Sequence, residues 1–152
     1  MGLNGLEDFL RRHHLIALDT SVFIYQLEAN PKYLPLTDHI FSWLEQPDSK
    51  AVTSAITMTE LLVQPYRHSD DQRVDEFYSL LVTFPNLSWI APSLEIADFA
   101  AHLRARHRLK TPDALQAATA AQARATGMIT NDPAFERVEA FETLVLDNLL
   151  RA

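Results

Sequence analysis

Five short apolar runs punctuate this chain, with longer segments of helical period between them. The runs are "LIALD" (15–19), "AVTSA" (51–55), "LSWIA" (87–91), "MIT" (128–130) and "TLVLD" (143–147). Each is short and apolar enough to be a buried strand. Between them, apolar residues recur at intervals of three and four. Leu36, Ile40, Trp43 and Leu44 mark one helix face, and Val74, Phe77, Tyr78, Leu81 and Val82 mark another. Further helices are expected over 6–12, over 23–28, from Thr57 to a stop near Pro65, from Ser93 to about Arg106, and from Thr111 to Gly127. Thr57, Ser93 and Thr111 read as N-caps, Pro112 as a first helical residue, and Gly127 as the helix terminator. Alternating strands and helices are the pattern of βαβ units: a mostly parallel sheet covered by helices on both faces. No repeat, low-complexity tract or linker interrupts residues 1–152, so a single domain is expected.

Glycine is scarce. Gly2, Gly5 and Gly127 cannot build a dinucleotide fingerprint, a phosphate-binding P-loop or a nucleophile elbow. There is no cysteine, which removes disulfides, thiolate catalysis and thiolate metal sites and fits a cytoplasmic location. No HExxH occurs; His13 with His14, and His102 with His107, lack metal-site spacing. No apolar run approaches a membrane span and no secretory leader pattern is visible. With 13 basic and 20 acidic residues the net charge is −7, which argues against indiscriminate nucleic-acid binding but leaves room for a local site.

Open parallel sheets place their sites beyond the carboxyl ends of the strands. Four acids fall there. Asp19 closes the first strand, Glu60 lies in the helix after the second, Asp113 opens the alanine-rich helix, and Asp132 follows the fourth strand. Each has an ordinary structural role to weigh. Asp113 and Asp132 suit helix N-termini, and Glu60 stands at capping-box distance from Thr57. Asp19 is harder to explain that way, because apolar residues flank it and no Lys or Arg lies within six positions. Four carboxylates in one pocket repel, and a divalent cation resolves the repulsion. Oxygen ligands without Cys or His favour Mg²⁺ or Mn²⁺, whose chemistry is metal-assisted phosphodiester hydrolysis.

"LIALDTSVFIY", "TSAITMTELL", "KTPDALQAATAAQA" and "ITNDPAF" resemble the signature blocks of the PIN-domain nucleases, and of VapC toxins in particular. The likeness runs from residue 15 to about 147. It implies an α/β three-layer fold with a five-stranded parallel sheet ordered 3-2-1-4-5. It also implies a Mg²⁺- or Mn²⁺-dependent endoribonuclease, a homodimer, and a VapB-like antitoxin as inhibitor. Carried over by position, Asp19, Glu60, Asp113 and Asp132 would form the acidic quartet and bind metal, with Thr20 and Thr130 in support. Ser21 stands where many members have Asn. Residues 1–14 are a longer lead-in than usual, either a docking helix or an upstream start.

A receiver domain would need a lysine after a late strand, but the last one is Lys110; a haloacid-dehalogenase-like phosphatase would need Asp at position 21. The remaining rival is a PIN fold that binds RNA or protein without cutting. The run "HLRARHRLK" gathers Arg104, Arg106, Arg108 and Lys110 before Asp113, either as a solvated helix end or as phosphate contacts for RNA. Leu61, Leu62 and Tyr66, with Leu36, Ile40 and Trp43, are either core or the walls of an apolar groove for a partner helix.

Overall fold

The computed structural model describes residues 2–151. Five strands form one sheet: β1 (Ile16–Leu18), β2 (Ala51–Ser54), β3 (Leu87–Ile90), β4 (Gly127–Thr130) and β5 (Glu142–Val145). Their order is β3-β2-β1-β4-β5 and every pairing is parallel, so the expected 3-2-1-4-5 sheet is what the chain forms. Among the described residues, eight helices surround it: α1 (Gly2–Arg12), α2 (Thr20–Leu27), α3 (Leu34–Leu44), α4 (Ile56–Arg67), α5 (Asp71–Thr83), α6 (Leu94–His107), α7 (Thr111–Gln122) and the short α8 (Leu146–Leu149). A 3₁₀ turn, Pro133–Arg137, joins β4 to β5. None of the described helices is long and apolar enough to cross a membrane.

Alternation along the strands separates two cores. Ile16, Leu18 and Ile129 face one side with α1 to α5; Ala17 and Met128 face the other with α6 and α7. The second core is built on alanine. Ala114, Ala117 and Ala118 are fully buried along α7, and their small side chains let that helix lie close to the sheet. This close seat carries Asp113, at the start of α7, to the carboxyl ends of the strands.

The lead-in is part of the fold. Leu6, Phe9 and Leu10 of α1 are buried against the first core, and the helix packs on α3 and α8. At its end, Arg12 pairs with Glu142, and His13 bridges Thr126 Oγ1 (2.8 Å) and Glu142 Oε2 (2.9 Å). These contacts staple α1 to the amino ends of β4 and β5.

Several boundaries differ from expectation. Helix α2 begins at Thr20 rather than Phe23, because Asp19 itself caps it by accepting the Ser21 N–H. Helix α4 passes through Pro65 to Arg67; in the last turn the missing N–H costs one intrahelical bond. Thr57 is a fully buried residue of that helix and not its cap. Ser93 does cap α6, accepting from Ile96 N, whereas α7 is preceded by Lys110 with Thr111 already helical. Helix α7 stops at Gln122, and the left-handed residue nearby is Arg124 (φ 62°). Gly127 instead opens β4, and its missing side chain serves packing: a Cβ there would meet Phe9 Cζ at 2.8 Å.

Candidate active site

At the carboxyl end of the sheet a cavity of about 380 Å³ is lined by Asp19, Thr20, Ser21, Ile24, Tyr25, Glu60, Asp113, Gln116, Asn131 and Asp132. All four acids singled out in the sequence therefore reach one cavity, from β1–α2, α4, α7 and the β4 exit.

Asp19 is the buried member, 7% exposed. Its Oδ1 accepts from the Ser21 backbone N–H (2.9 Å) and hydroxyl (2.5 Å), and its Oδ2 accepts from Thr130 Oγ1 (2.5 Å). Burial pushes its carboxyl up to about 6, against those hydrogen bonds, and the charge of Asp113 adds to the rise. Asp113 is also raised, first by burial, then by the charges of Asp132 and Glu60, with Lys110 pulling the other way. Neighbouring acid charges thus add to the effect of burial at Asp19 and Asp113. Glu60 is exposed, and Thr20 Oγ1 donates to its Oε1 at 2.6 Å. Asp132 keeps its ordinary structural role as well: its Oδ1 accepts from Ala134 N and caps the 3₁₀ turn. None of the four acids joins a salt bridge among the described residues.

Beneath the acids lies a buried polar chain that sequence reasoning missed. Gln116 Nε2 donates to Thr57 Oγ1 (2.6 Å), and Thr53 Oγ1 donates to the Leu18 carbonyl (2.8 Å). The proton between Thr57 and Thr53 (2.8 Å) then belongs to Thr57. This chain is why Glu60 and Thr57 do not form a capping box: Thr57 faces the sheet and Glu60 faces Thr20. Gln116 follows Asp113 by one helical turn, a spacing that placed both on one face of α7. Asn131 was also missed. Its N–H donates to Ser21 Oγ, its Nδ2 to the Tyr25 hydroxyl (2.9 Å), and its Oδ1 accepts from Asp147 N (2.9 Å). Nothing in the local pattern marks it beyond its place after a strand.

The basic run divides. Lys110 lies near enough to Asp113 to offset its rise, while Arg104 donates to the Leu109 carbonyl (3.0 Å) and Arg106 lines a separate cavity with Phe99 and Val138. Arg108 is exposed in the left-handed residue that ends α6 (φ 57°). Of the residues anticipated as walls of a groove between α3 and α4, Leu36, Ile40 and Leu61 are buried in the core, Trp43 and Leu62 are half-buried, and Tyr66 is exposed. A different groove of about 380 Å³ borders the acids, lined by the apolar Ile24, Leu27, Leu61, Pro65 and Phe77 of α2, α4 and α5 and also by Glu28, Gln64, His68, Asp70 and Arg73, and it shares Ile24 and Glu60 with the acid cavity.

The donor set suits a divalent cation, since every acid offers hard oxygen and the pocket holds excess negative charge. Among the described residues no three His, Asp or Glu side chains stand close enough to grip an ion unaided. A cation that keeps several of its waters, as Mg²⁺ does, tolerates such a loose donor set.

Comparison with solved structures finds the same fold at low identity. A chain of a toxin–antitoxin complex from Klebsiella pneumoniae is 23% identical, with 86% of this chain and 97% of that chain covered and a TM-score of 0.61. A chain of VapBC2 from Rickettsia felis, bound to a DNA fragment from its promoter, is 16% identical, with coverage of 86% and 98% and a TM-score of 0.67. A chain of VapBC-1 from nontypeable Haemophilus influenzae is 19% identical, with coverage of 88% and 98% and a TM-score of 0.67. Comparison with curated protein sequences gives no significant match. The PIN domain family model matches residues 16–140, from β1 through the 3₁₀ turn and all four acids. On that match, over most of its length, the chain belongs to the PIN domain family.

Proposed function

We propose that this protein is a Mg²⁺- or Mn²⁺-dependent endoribonuclease of the VapC toxin kind. The observation that carries the reading is the acid cavity: Asp19, Glu60, Asp113 and Asp132 all line it and none is paired with a cation by a salt bridge among the described residues. Asp19, Glu60, Asp113 and Asp132 would hold the metal, directly or through its waters. Once bound, the metal supplies a water activated for attack and neutralises charge on the phosphate oxygens.

The chain's own residues do the rest. Ser21 and Thr130 fix both oxygens of Asp19, so the carboxylate needs no reorganisation when it is used. Thr20 holds Glu60 at the cavity rim, within reach of a water. Lys110 offers a positive charge beside Asp113 for a substrate phosphate, with the exposed Arg108 two positions before it, whereas Arg104 and Arg106 are engaged elsewhere. Incubating RNA with the purified protein tests the reading. Cleavage with Mn²⁺ that stops in EDTA is expected; cutting that continues in EDTA overturns it.

The partner follows from the same reading. The solved neighbours include VapBC complexes, and the groove beside the acids is apolar along Ile24, Leu27, Leu61 and Phe77. A VapB-like antitoxin helix would lie there and point an arginine at the carboxylates. For the homodimer, Tyr78 and Val82, one turn apart on α5 and 52% and 49% exposed, supply apolar surface. Co-expression with the product of the neighbouring gene is expected to give a complex that does not cut RNA.

A further inference from the structure

An acidic cavity repels the backbone of an RNA, so uncharged surface beside the acids is where a base can be held without that repulsion. Tyr25 is the one aromatic residue lining the cavity. Its ring stacks on Tyr33 with centroids 4.0 Å apart and planes within 15°. Its hydroxyl accepts from Asn131 Nδ2 (2.9 Å). The Tyr33 hydroxyl donates to Asp147 Oδ1 (2.6 Å), and the Asp147 N–H donates to Asn131 Oδ1 (2.9 Å), which closes the loop back to Tyr25. Both rings are therefore held by a ring of partners, while Tyr25 stays only partly buried and lines the cavity beside the acids.

We propose that Tyr25 is the stacking platform for one unpaired nucleobase of the substrate, seated next to the phosphate that is cut. This rests on the ribonuclease reading above and narrows it to single-stranded or looped RNA. A base inside a duplex has both faces covered by its neighbours, whereas an unpaired base stacks on an aromatic side chain regardless of its identity. Because the tyrosine pair is held rigid beforehand, little side-chain freedom is lost when the base arrives. Asn131 sets the ring's position and also donates its backbone N–H to Ser21 Oγ, so the platform and the Asp19 carboxylate share a support.

The test separates binding from cutting. In an Asp113→Asn background, a fluorescein-labelled single-stranded 12-mer RNA is titrated and its anisotropy read. Tyr25→Leu is expected to weaken binding about 5- to 50-fold, while Tyr25→Phe, which keeps the ring and loses the hydroxyl, stays within about twofold. A 12-mer that is abasic throughout should bind the Tyr25 protein more weakly than the intact strand by the same factor, and Tyr25→Leu should not distinguish the two. The comparison of the two strands on the Tyr25 protein needs no folding of the leucine variant. A fully paired duplex of the same sequence should bind more weakly than the single strand. If the Tyr25 protein binds the abasic strand as tightly as the intact one, or folded Tyr25→Leu binds the intact strand as tightly as its parent, the platform is wrong while Mn²⁺-dependent cutting by the unaltered protein still upholds the nuclease. If the unaltered protein neither binds nor cuts RNA, both fall together.

Discussion

At the amino end of the sheet Glu142 accepts hydrogen bonds from Arg12 and His13, whereas at the carboxyl end Asp19, Glu60, Asp113 and Asp132 face one cavity with no salt-bridge partner among the described residues. The carboxyls respond in opposite directions. Burial pushes Glu142 up, but the hydrogen bonds from Arg12 and His13 outweigh it, and the group lies below its ordinary value. Asp19 is pushed up to about 6 by burial that its hydrogen bonds do not overcome. One end of the fold has matched its charges internally; the other holds an unmatched surplus. A surplus that weakens the fold is retained where something outside the chain completes it.

The sharpest way to break this contrast is to remove one charge from the unmatched end. Asp113→Asn and Asp19→Asn are each expected to lower RNA cleavage at least about 100-fold without unfolding the protein. Initial rates with Mn²⁺, set beside circular dichroism of the same samples, check this. An Asp19→Asn protein that still cuts at the parental rate removes Asp19 from the machinery.

The matched end is probed by packing. Phe9 of α1 is 1% exposed and lies over Gly127 at the start of β4. Phe9→Ala is expected to cost roughly 3–5 kcal/mol by cavity formation, and Gly127→Ala about 1–3 kcal/mol because its Cβ would collide with that ring. Urea unfolding measures both. Whatever stays folded should cleave RNA at the parental rate per folded molecule, since the acids sit at the opposite ends of the strands. A loss of activity larger than the loss of folded protein would show that the two ends are coupled.

The metal-free protein should show the surplus as a pH effect. Asp19 is raised from 3.8 to about 6, so the folded state holds its proton more tightly than the unfolded state does. Its ionisation therefore costs nothing below pH 3.8, costs progressively more up to about 6, and levels off above that. The full span is roughly 3 kcal/mol for a shift of this size. Asp113 acts with the same sign. In EDTA, Asp19→Asn should thus be more stable than its parent at pH 8 and lose that advantage at pH 4. Saturating Mn²⁺ should raise the parent's melting temperature, by an amount equivalent to about 2.7 kcal/mol at a hundred times its dissociation constant, and should do less for the variant.

How much of this was readable beforehand follows the same division. The alternation of apolar runs with helical period fixes a parallel sheet, and Asp19, Glu60, Asp113 and Asp132 each stand just past a strand or at a helix start, where sheet topology gathers them. What escaped was set by tertiary packing. Gly127 looks like a helix terminator by residue type, yet the steric limit on it comes from Phe9, more than a hundred positions earlier. Thr57 has cap chemistry, but Gln116 and Thr53 claim its hydroxyl. Leu36 and Ile40 carry the same stripe whether it faces a partner or a core, and only the position of α3 against the first core decides. Tyr25 and Asn131 acquire meaning only from each other and from Asp147, contacts that no local spacing encodes.

The smallest expected effect lies at Glu142, and it tests the contrast most directly because its sign is reversed. The Glu142 side chain is 48% exposed, so solvent screens its pairing with Arg12 and His13. Glu142→Gln keeps one acceptor oxygen and turns the other into an amide donor, so at most one of the two contacts survives unchanged as the charge is lost, and the expected cost is about 1 kcal/mol or less at neutral pH. Because the Glu142 carboxyl is lowered from 4.5, its contribution is complete above that pH and is lost as pH falls through the lowered value. The stability difference between parent and Glu142→Gln should therefore favour the parent above pH 5 and vanish in acid. The difference for Asp19→Asn should be largest at pH 8 and shrink between about 6 and 3.8. Two urea-melting series across pH distinguish these shapes. Glu142→Gln should also leave RNA cleavage untouched. If it instead stabilised the protein at pH 8, Glu142 would be a second unmatched charge, and the opposition between the two ends of the sheet would not hold.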